Sequence, residues 1–342
     1  MDHSLVSVII PAYNAERTIE RCVHSILLQT YKNIEVLIVD DGSTDKTPDI
    51  LERLAASDAR IRFTKQANSG PGEARNTGIR RAKGEWICFV DSDDYVEEGL
   101  VQAYYDAATE HKVDSVAMNL IFETSKGFGV KYPFKPLKGV MTGKEAVIKT
   151  FEILPFPSFI TNKFFRRDIL CTKKIEFPPI LYEDVFFVNA YFLECNSVVF
   201  LDESYYHYVL RDGSLTSNFT FEHCRDYLTS INLLCYYIAE KGEWDYWKDY
   251  ISKYVDRVLF QMRFSLLLMN KDMTKKERDK LLHLIRLKAE ELKEKPNLAE
   301  HPYDLFLELN WLIEEKGLDD RNELDDVFGL DWFKKEHISD EP

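Results

Sequence analysis

The chain has 342 residues, which allows roughly two domains of about 150 residues each, and 45% of the residues are apolar, enough for a globular core. The net charge of −14 argues against general nucleic-acid binding, which needs a basic surface. No run approaches the roughly 18 apolar residues of a membrane span, and the start of the chain lacks the basic region of a signal peptide.

Strands and helices alternate through the amino-terminal part of the chain, and Asn14 is the predicted cap of the first helix. This alternation is typical of an α/β fold, with a Rossmann-like, mainly parallel sheet, right-handed crossovers and flanking helices. Strands are predicted at 6–10, 34–39, 61–63, 86–90 and 115–122, and helices at 14–28, 73–82 and 97–111, with another that ends near 56.

The strand at 86–90 ends abruptly in three carboxylates, Asp91, Asp93 and Asp94. Ligands of open α/β sheets bind beyond the carboxyl ends of the strands. Asp91 and Asp93 repel each other there unless a positive charge lies between them, and Mg²⁺ is typically bound by one or two carboxylates plus phosphate oxygens. One interpretation is therefore a divalent cation that also holds phosphates. The other is a strand-ending turn, in which Asp and Ser are common.

Two further strand ends carry polar residues, at 11–14 (Pro-Ala-Tyr-Asn) and at Asp40-Asp41. Because the carboxyl ends of parallel strands share one edge of a sheet, we expect these clusters to lie beside Asp91. A nucleotide suits this edge, with Asp40 or Asp41 accepting from a base N–H or a ribose hydroxyl and Tyr13 stacking or hydrogen bonding. The alternative for the segment Asp41-Gly42-Ser43 is a turn with a helix cap, which is compatible with ligand binding.

Arg75 and Asn76 stand early in the helix predicted at 73–82. From that position both side chains can reach a base or a phosphate. The alternative for Arg75 is a solvated helix residue with no ligand.

Four motifs stand in order along this part of the chain: Ser-Val-Ile-Ile-Pro-Ala-Tyr-Asn at 7–14, Val-Asp-Asp-Gly-Ser-Thr-Asp at 39–45, Ala-Arg-Asn-Thr-Gly at 74–78 and Phe-Val-Asp-Ser-Asp-Asp at 89–94. Together they resemble the inverting family 2 glycosyltransferases of the GT-A fold. The resemblance implies that Asp91 and Asp93 form the metal motif, with Asp93 the more direct ligand. It places the nucleotide against Pro11, Ala12, Tyr13, Asp40 or Asp41, Arg75 and Ser92.

A carboxylate pair, Glu183-Asp184, stands inside the apolar run at 181–187. Burial raises the pKa of a carboxyl and a neighbouring like charge raises it further, which suits proton abstraction from a sugar hydroxyl. The alternative is a helix amino terminus, where the helix dipole favours Glu and Asp. The pair resembles the family's Glu-Asp motif, in which Asp184 matches the catalytic base, although Glu183 beside it can be the base instead.

Two stretches precede this pair. Thr142 and Glu145 form a capping-box signature that opens a helix to about 151. The segment at 162–167 (Asn-Lys-Phe-Phe-Arg-Arg) resembles a part of the family near the donor or acceptor sugar.

The segment at 205–216 resembles the family's later Tyr/Arg and Ser-x-Thr segment. The resemblance implies that Arg211 can hold the departing diphosphate and that Ser214 and Thr216 can donate hydrogen bonds to it. His207 is a candidate third metal ligand. The alternative for His207 is a half-exposed side chain on an aromatic strand edge.

The chain after 218 is predicted to be helical, which divides the protein into a catalytic domain at 1–218 and a helical accessory region at 219–342. Helices are predicted at 249–269, 275–294 and 302–316, the first with an apolar face buried in the protein or in a subunit interface. This region carries no catalytic constellation. Structural packing is the favoured interpretation, with acceptor binding, homo-oligomer formation and membrane contact left open.

The predicted reaction is metal-dependent transfer of a sugar, with inversion, from a UDP-sugar to a hydroxyl of a growing glycan on a lipid carrier or a protein, with Mn²⁺ or Mg²⁺ as the cofactor. Six scattered cysteines without a Cys-x-x-Cys pair predict reduced, mostly buried thiols in a cytoplasmic protein, at the inner face of the membrane if it touches one. The alternatives are a catalytically silent glycan-binding or scaffold subunit and a sugar nucleotidyltransferase. The latter ordinarily has a Gly-rich basic loop after its first strand, unlike 11–16 here.

Overall fold

The computed structural model describes residues 4–124, 129–131, 137–152, 158–210 and 221–269, together with the single positions 283 and 293. Outside these ranges lie the residues Arg211, Ser214 and Thr216 and the predicted helix at 302–316. The predicted helix at 275–294 is described only at positions 283 and 293. The described strands are β1 (Val6–Ala12), β2 (Ile34–Asp40), β3 (Ile61–Lys65), β4 (Trp86–Phe89), β5 (Tyr95–Val96), β6 (Ser115–Thr124), β7 (Gly129–Lys131), β8 (Gly139–Met141), β9 (Lys163–Arg166) and β10 (Val198–Leu210). The described helices are α1 (Ile19–Leu27), α2 (Thr47–Ser57), α3 (Gly70–Arg81), α4 (Leu100–His111), α5 (Gly143–Glu152), α6 (Arg167–Lys173), α7 (Glu183–Glu194), α8 (Phe221–Glu240) and α9 (Trp244–Met269).

One large sheet organises the molecule, with the strand order β3-β2-β1-β4-β9-β6-β10-β5 and with β7 added to β6 and β8 to β10. The strands β3, β2, β1 and β4 are parallel, and β6 is parallel to β10. The short strand β9 runs antiparallel between β4 and β6. The predicted α/β fold, with mostly parallel strands flanked by helices, is confirmed.

The two faces of the sheet carry different helices because side chains alternate between the faces along each strand. On β1, Ile9 belongs to the core that includes α3 and α7, whereas Val8 and Ile10 belong to the core that includes α1, α2 and α4. A strand that is buried on both faces has a nearly continuous run of apolar residues, which is why β1 and β2 could be predicted from the sequence.

Aromatic packing on the first of these faces fixes helix α7 against the sheet. Phe165 of β9 and Phe187 of α7 are fully buried with ring centroids 5.6 Å apart, and Phe177 stacks on Phe187 at 3.7 Å. Burying a Phe side chain contributes about 1.5–3 kcal/mol. The amino terminus of α7, where Glu183 and Asp184 lie, is therefore held near the sheet by its own next turn.

Helices α8 and α9 pack on α5 and α7 and extend the same core. Tyr254 stacks on Phe151 at 4.4 Å, and Val258 and Met262 are 1% and 2% exposed. The predicted burial of the apolar face is confirmed for the residues up to Met262, and it occurs within the protein. The domain boundary between 218 and 219 falls in a stretch outside the described ranges and stays a prediction.

Tertiary contacts determine the local structure at Asn14, where the predicted helix cap is wrong. Asn14 is not a helix cap: its backbone is left-handed (φ 48°), and its side-chain oxygen accepts from the Thr44 N–H at 2.8 Å, so α1 begins only at Ile19. The capping box of Thr142 and Glu145 is confirmed by reciprocal hydrogen bonds.

All six cysteines are free thiols, of which Cys171 is exposed. No helix within the described ranges is long and apolar enough to cross a membrane.

Candidate active site at the carboxyl edge of the sheet

The ends of β1 and β2 meet as predicted. Ala12 and Asp40 are partners across the two strands, and the Asp41 N–H donates to the Ala12 carbonyl at 2.8 Å. Pro11 and Ala12 are buried, so at this strand end they can offer a ligand only their backbone atoms. Tyr13, directly after them, is 51% exposed and presents an aromatic ring at the edge.

Asp40 and Asp41 are both buried but differ in how far their carboxylates are satisfied. Asp41 accepts from Gln66 Nε2 at 2.8 Å and from the N–H groups of Ser69 and Gly70 at 2.9 and 2.8 Å, which caps the start of α3. Asp40 Oδ1 accepts from the Ser43 N–H at 3.0 Å, whereas its Oδ2 has no hydrogen-bond partner among the described residues. Capping therefore applies to Asp41, and Asp40 retains an unused acceptor.

Arg75 joins two of the predicted motifs. Its side chain is 8% exposed, and its Nη2 donates to Asp91 Oδ1 at 2.8 Å while its Nη1 donates to Glu183 Oε1 at 2.5 Å. Burial opposes the positive charge, but the carboxylates of Asp91 and Glu183 outweigh it and raise the pKa of Arg75 above its usual range. Arg75 is thus a buried ion-pair bridge, and a solvated position is excluded.

Asn76 has a different partner from the one its position suggested. Its amide nitrogen donates to the Phe177 carbonyl at 2.9 Å, and its amide oxygen accepts from the Phe177 N–H at 2.8 Å. Both amide atoms therefore hold the segment before α7, and the expected contact of Asn76 with a base or a phosphate stays a prediction.

The carboxylates after β4 also divide into two kinds. Asp94 is buried, accepts from the Tyr206 hydroxyl at 2.7 Å and from the Val209 N–H at 2.8 Å, and so ties this turn to β10. Burial and the nearby Asp91 raise the pKa of Asp94 to about 8. Asp91, Ser92 and Asp93 remain partly exposed at the edge.

The donor set at this point fits a divalent cation. Asp91 and Asp93 offer carboxylate oxygens, the hard ligands that Mg²⁺ and Mn²⁺ take. Within the described part of the chain, no group of three or more His, Cys, Asp or Glu side chains can hold a metal by itself. The remaining ligands would have to be phosphate oxygens, an arrangement that is usual for Mg²⁺ in sites that bind phosphorylated substrates.

His207 lies apart from Asp91 and Asp93 in its contacts. Its Nδ1 is 2.8 Å from Glu123 Oε2, its Nε2 is 3.3 Å from Glu97 Oε1, and its ring stacks on Tyr95 at 4.3 Å. Both ring nitrogens are engaged by carboxylates, so His207 would have to release one of them before it could bind a metal. Its predicted role as a third ligand remains a prediction.

Glu183 and Asp184 form the first turn of α7, so the helix-terminus interpretation is correct for their backbone. Glu183 is paired with Arg75, whereas Asp184 is partly exposed. Desolvation by the surrounding protein and the charge of Glu183 raise the pKa of Asp184 to about 7, against the opposing effects of Arg75 and Lys163. A carboxyl with this pKa is largely ionised just above neutral pH and is still a useful proton acceptor.

Lys163 belongs to the 162–167 segment, which the resemblance places near the donor or acceptor sugar. It is 1% exposed at the start of β9, and its Nζ donates to the Phe159 carbonyl and to Asn162 Oδ1. Burial lowers the pKa of Lys163 to about 7, and the charge of Asp184 opposes this shift. The resemblance marked the segment as a whole, but it did not indicate that the Lys163 ammonium is buried or that it interacts with Asp184.

Comparisons with known proteins identify the family of the chain. The family model described as glycosyl transferase family 2 matches residues 7–170. The glycosyltransferase GlyG of Streptococcus pneumoniae is 31% identical over 226 residues, which are 62% of this chain and 72% of GlyG. The chain belongs to glycosyl transferase family 2.

A second relative and a solved structure were also compared with this family 2 chain. The uncharacterized glycosyltransferase EpsJ of Bacillus subtilis is 36% identical over 216 residues, 62% of this chain and 63% of EpsJ, so the chain spans less than two thirds of EpsJ. The crystal structure of S. aureus TarS in complex with UDP-GlcNAc has a TM-score of 0.57 and 23% identity, and the match covers 84% of this chain and 89% of that one. The fold is therefore like that of the GT-A glycosyltransferase TarS.

Proposed function

We propose that this family 2 protein transfers a sugar, with inversion, from a UDP-sugar to a hydroxyl of a growing glycan, and that Asp184 is the general base. The proposal joins the family membership with one observation: the guanidinium of Arg75 contacts both Asp91 and Glu183. This double contact supports the proposal that the predicted metal motif and the carboxylate pair act in one site.

The same bridge distinguishes the two candidates for the base. The Glu183 carboxylate is held by the Arg75 guanidinium at 2.5 Å, so it would have to leave this ion pair to accept a proton from an acceptor hydroxyl. Asp184 is not one of the two carboxylates that Arg75 contacts, and desolvation raises its pKa to about 7. Asp184 is therefore the carboxylate whose proton affinity suits catalysis at neutral pH.

In the proposed reaction, the acceptor hydroxyl gives its proton to the Asp184 carboxylate and its oxygen attacks the anomeric carbon. The bond from that carbon to the diphosphate oxygen breaks on the opposite face, and the electron pair leaves with the diphosphate, so the configuration inverts. When bound at Asp91 and Asp93, a Mg²⁺ or Mn²⁺ ion would offset the charge of the diphosphate. Asp40 or Asp41 and the exposed Tyr13 are suited to the nucleoside.

The choice of a UDP-sugar is supported by the shared fold with TarS, which was determined in complex with UDP-GlcNAc. A lipid-linked or protein-linked glycan is the proposed acceptor, as for a role in glycan assembly at the inner face of the membrane. The acidic sequence, with its net charge of −14, disfavours attraction to anionic lipid as the means of reaching that surface.

A panel of nucleotide-sugars tests the proposal. The full-length protein is incubated with UDP-, GDP- and CMP-sugars, with Mn²⁺ or Mg²⁺ and with glycan or alkyl-glycoside acceptors, and the release of nucleoside diphosphate or monophosphate is measured. We expect acceptor-stimulated release of UDP that EDTA abolishes, and an inverted anomeric signal in the NMR spectrum of the product. Binding of a nucleotide-sugar without any turnover would favour a silent glycan-binding subunit.

A further inference from the structure

The turn that leads into the carboxylate pair is held by a helix from the accessory region. Asp226 Oδ2 of α8 accepts from the Leu181 N–H at 2.9 Å. Ser230, one helical turn further, accepts from the Phe186 N–H at 2.9 Å through its hydroxyl oxygen and donates to the Tyr182 carbonyl at 2.9 Å. These three bonds fasten backbone groups on both sides of Glu183 and Asp184.

The turn itself needs such support. Tyr182 has a left-handed backbone (φ 59°, ψ 33°), which is unfavourable for a residue with a bulky side chain. Strained backbone of this kind costs of order 1–3 kcal/mol and persists where the surroundings determine it. Because Tyr182 directly precedes Glu183, its dihedral angles set the direction in which α7 starts and the carboxylates point.

The face of α8 that meets this turn is polar where a packing helix would be apolar. Asp226 is 4% exposed and Ser230 is 0% exposed, and they lie four residues apart on one face of the helix. Tyr227, between them, packs its ring on Tyr182 at 4.8 Å. Buried polar groups are costly unless they are hydrogen-bonded. Ser230 finds its partners in the backbone of the base-bearing turn, whereas Asp226 uses Oδ2 for the turn and accepts from Arg225 Nε of its own helix through Oδ1, at 2.7 Å.

We propose that α8 is part of the catalytic apparatus, with Asp226 and Ser230 as positioning residues that hold the 181–186 turn so that Asp184 meets the acceptor hydroxyl. The inference rests on the proposed function, and it assigns a role to a region that the sequence left as structural packing. Neither residue touches the substrate in this account. They act through the direction of the Asp184 side chain.

The test compares two buried hydroxyls on α8. Ser230→Ala removes both bonds to the turn, whereas Thr229→Val removes a buried hydroxyl whose hydrogen bond, among the described residues, goes to the Arg225 carbonyl of its own helix. Asp226→Ala is the second variant on the turn, and Ser230→Thr, which keeps the hydroxyl, is the rescue. Each full-length variant is measured for melting temperature, UDP affinity by calorimetry, and kcat of transfer.

For Ser230→Ala and Asp226→Ala we expect kcat to fall roughly 10- to 100-fold, because an error of about 1 Å at a reacting group can cost about 100-fold. UDP affinity is expected to match the parent, Thr229→Val to keep the parental kcat, and Ser230→Thr to recover most of it. Folded variants with parental kcat, or an equal loss in Thr229→Val, would overturn the inference. An inactive parent would instead overturn the proposed function. Should Ser230→Ala not fold, Asp226→Ala carries the same comparison.

Discussion

Asp184 and Glu183 are neighbours in the chain but differ in their surroundings. Glu183 pairs with Arg75. Desolvation and the negative charge of Glu183 raise the pKa of Asp184, whereas the positive charges of Arg75 and Lys163 lower it. The sequence could predict that a carboxylate pair lies in apolar surroundings. The family resemblance pointed to Asp184 as the base, but the ion pair between Arg75 and Glu183 could not be foreseen, because the two residues are 108 positions apart in the chain.

The pKa of about 7 for Asp184 predicts a pH dependence. The base acts only when it is ionised, so transfer should fall as the pH drops below about 7. Lys163 opposes the rise in this pKa, so Lys163→Met should raise it further and move the acid limb to higher pH. Profiles of kcat against pH measure the shift. Lys149→Met, which removes an exposed ammonium, should leave the profile in place.

Arg75 also predicts a stability effect. Arg75→Met leaves Asp91 and Glu183 without their shared cation, and breaking a buried ion pair from one side costs about 3–5 kcal/mol. Chemical denaturation measures the loss in the free energy of unfolding. Arg53→Met is the control, because the Arg53–Glu20 pair is exposed and such pairs contribute about 0.2–1 kcal/mol. Similar values for the two variants would show that the bridge does not stabilise the fold.

At the scale of elements, the parallel strands were predictable because buried strands appear as continuous apolar runs. The positions of β5 and β9 were not, since β5 has only two residues and β9 only four, and both depend on distant partners. Asn14 shows the same limit: its residue type suits a helix cap, but Ser43 and Thr44, from the next strand end, fix its backbone instead.

Helix α9 provides a matched pair for testing the accessory region. Met262 is 2% exposed and Phe260 is 75% exposed on the same helix. Met262→Ala should lower the free energy of unfolding by about 2–5 kcal/mol, because it leaves a cavity in the core shared with α5 and α7. Phe260→Ala should stay within about 0.5 kcal/mol of the parent. Equal melting temperatures for Met262→Ala and the parent would mean that α9 does not stabilise the domain.

At the scale of the whole molecule, the site is assembled from the carboxyl ends of β1, β2 and β4 and from the amino terminus of α7. The shared edge of the parallel strands made the first three predictable. The approach of α7 depends on Phe165, Phe177 and Phe187, whose packing no local pattern reveals. The hold of α8 on the same turn was not predicted, because Asp226 and Ser230 are ordinary residues in a helical sequence.

The proposed division between donor and acceptor sides predicts the behaviour of Asp93. Asp93→Ala should remove the part of UDP binding that depends on Mn²⁺ and leave the melting temperature near the parental value, because the side chain is partly exposed beyond β4. Calorimetric titration with UDP, with and without Mn²⁺, measures this. If UDP binding to the variant still responds to Mn²⁺ as the parent does, Asp93 is not a ligand.

The central claim is that Asp184 removes the proton from the acceptor while the metal motif holds the donor. The most direct test is the transfer rate of Asp184→Asn, with donor affinity determined on the same preparation. Asn keeps the size of the side chain, and general-base assistance contributes about 10²–10⁴-fold, so kcat should fall by that range while UDP-sugar affinity stays parental. Near-parental transfer by Asp184→Asn would contradict the account, and a loss confined to Glu183→Gln would move the base to its neighbour.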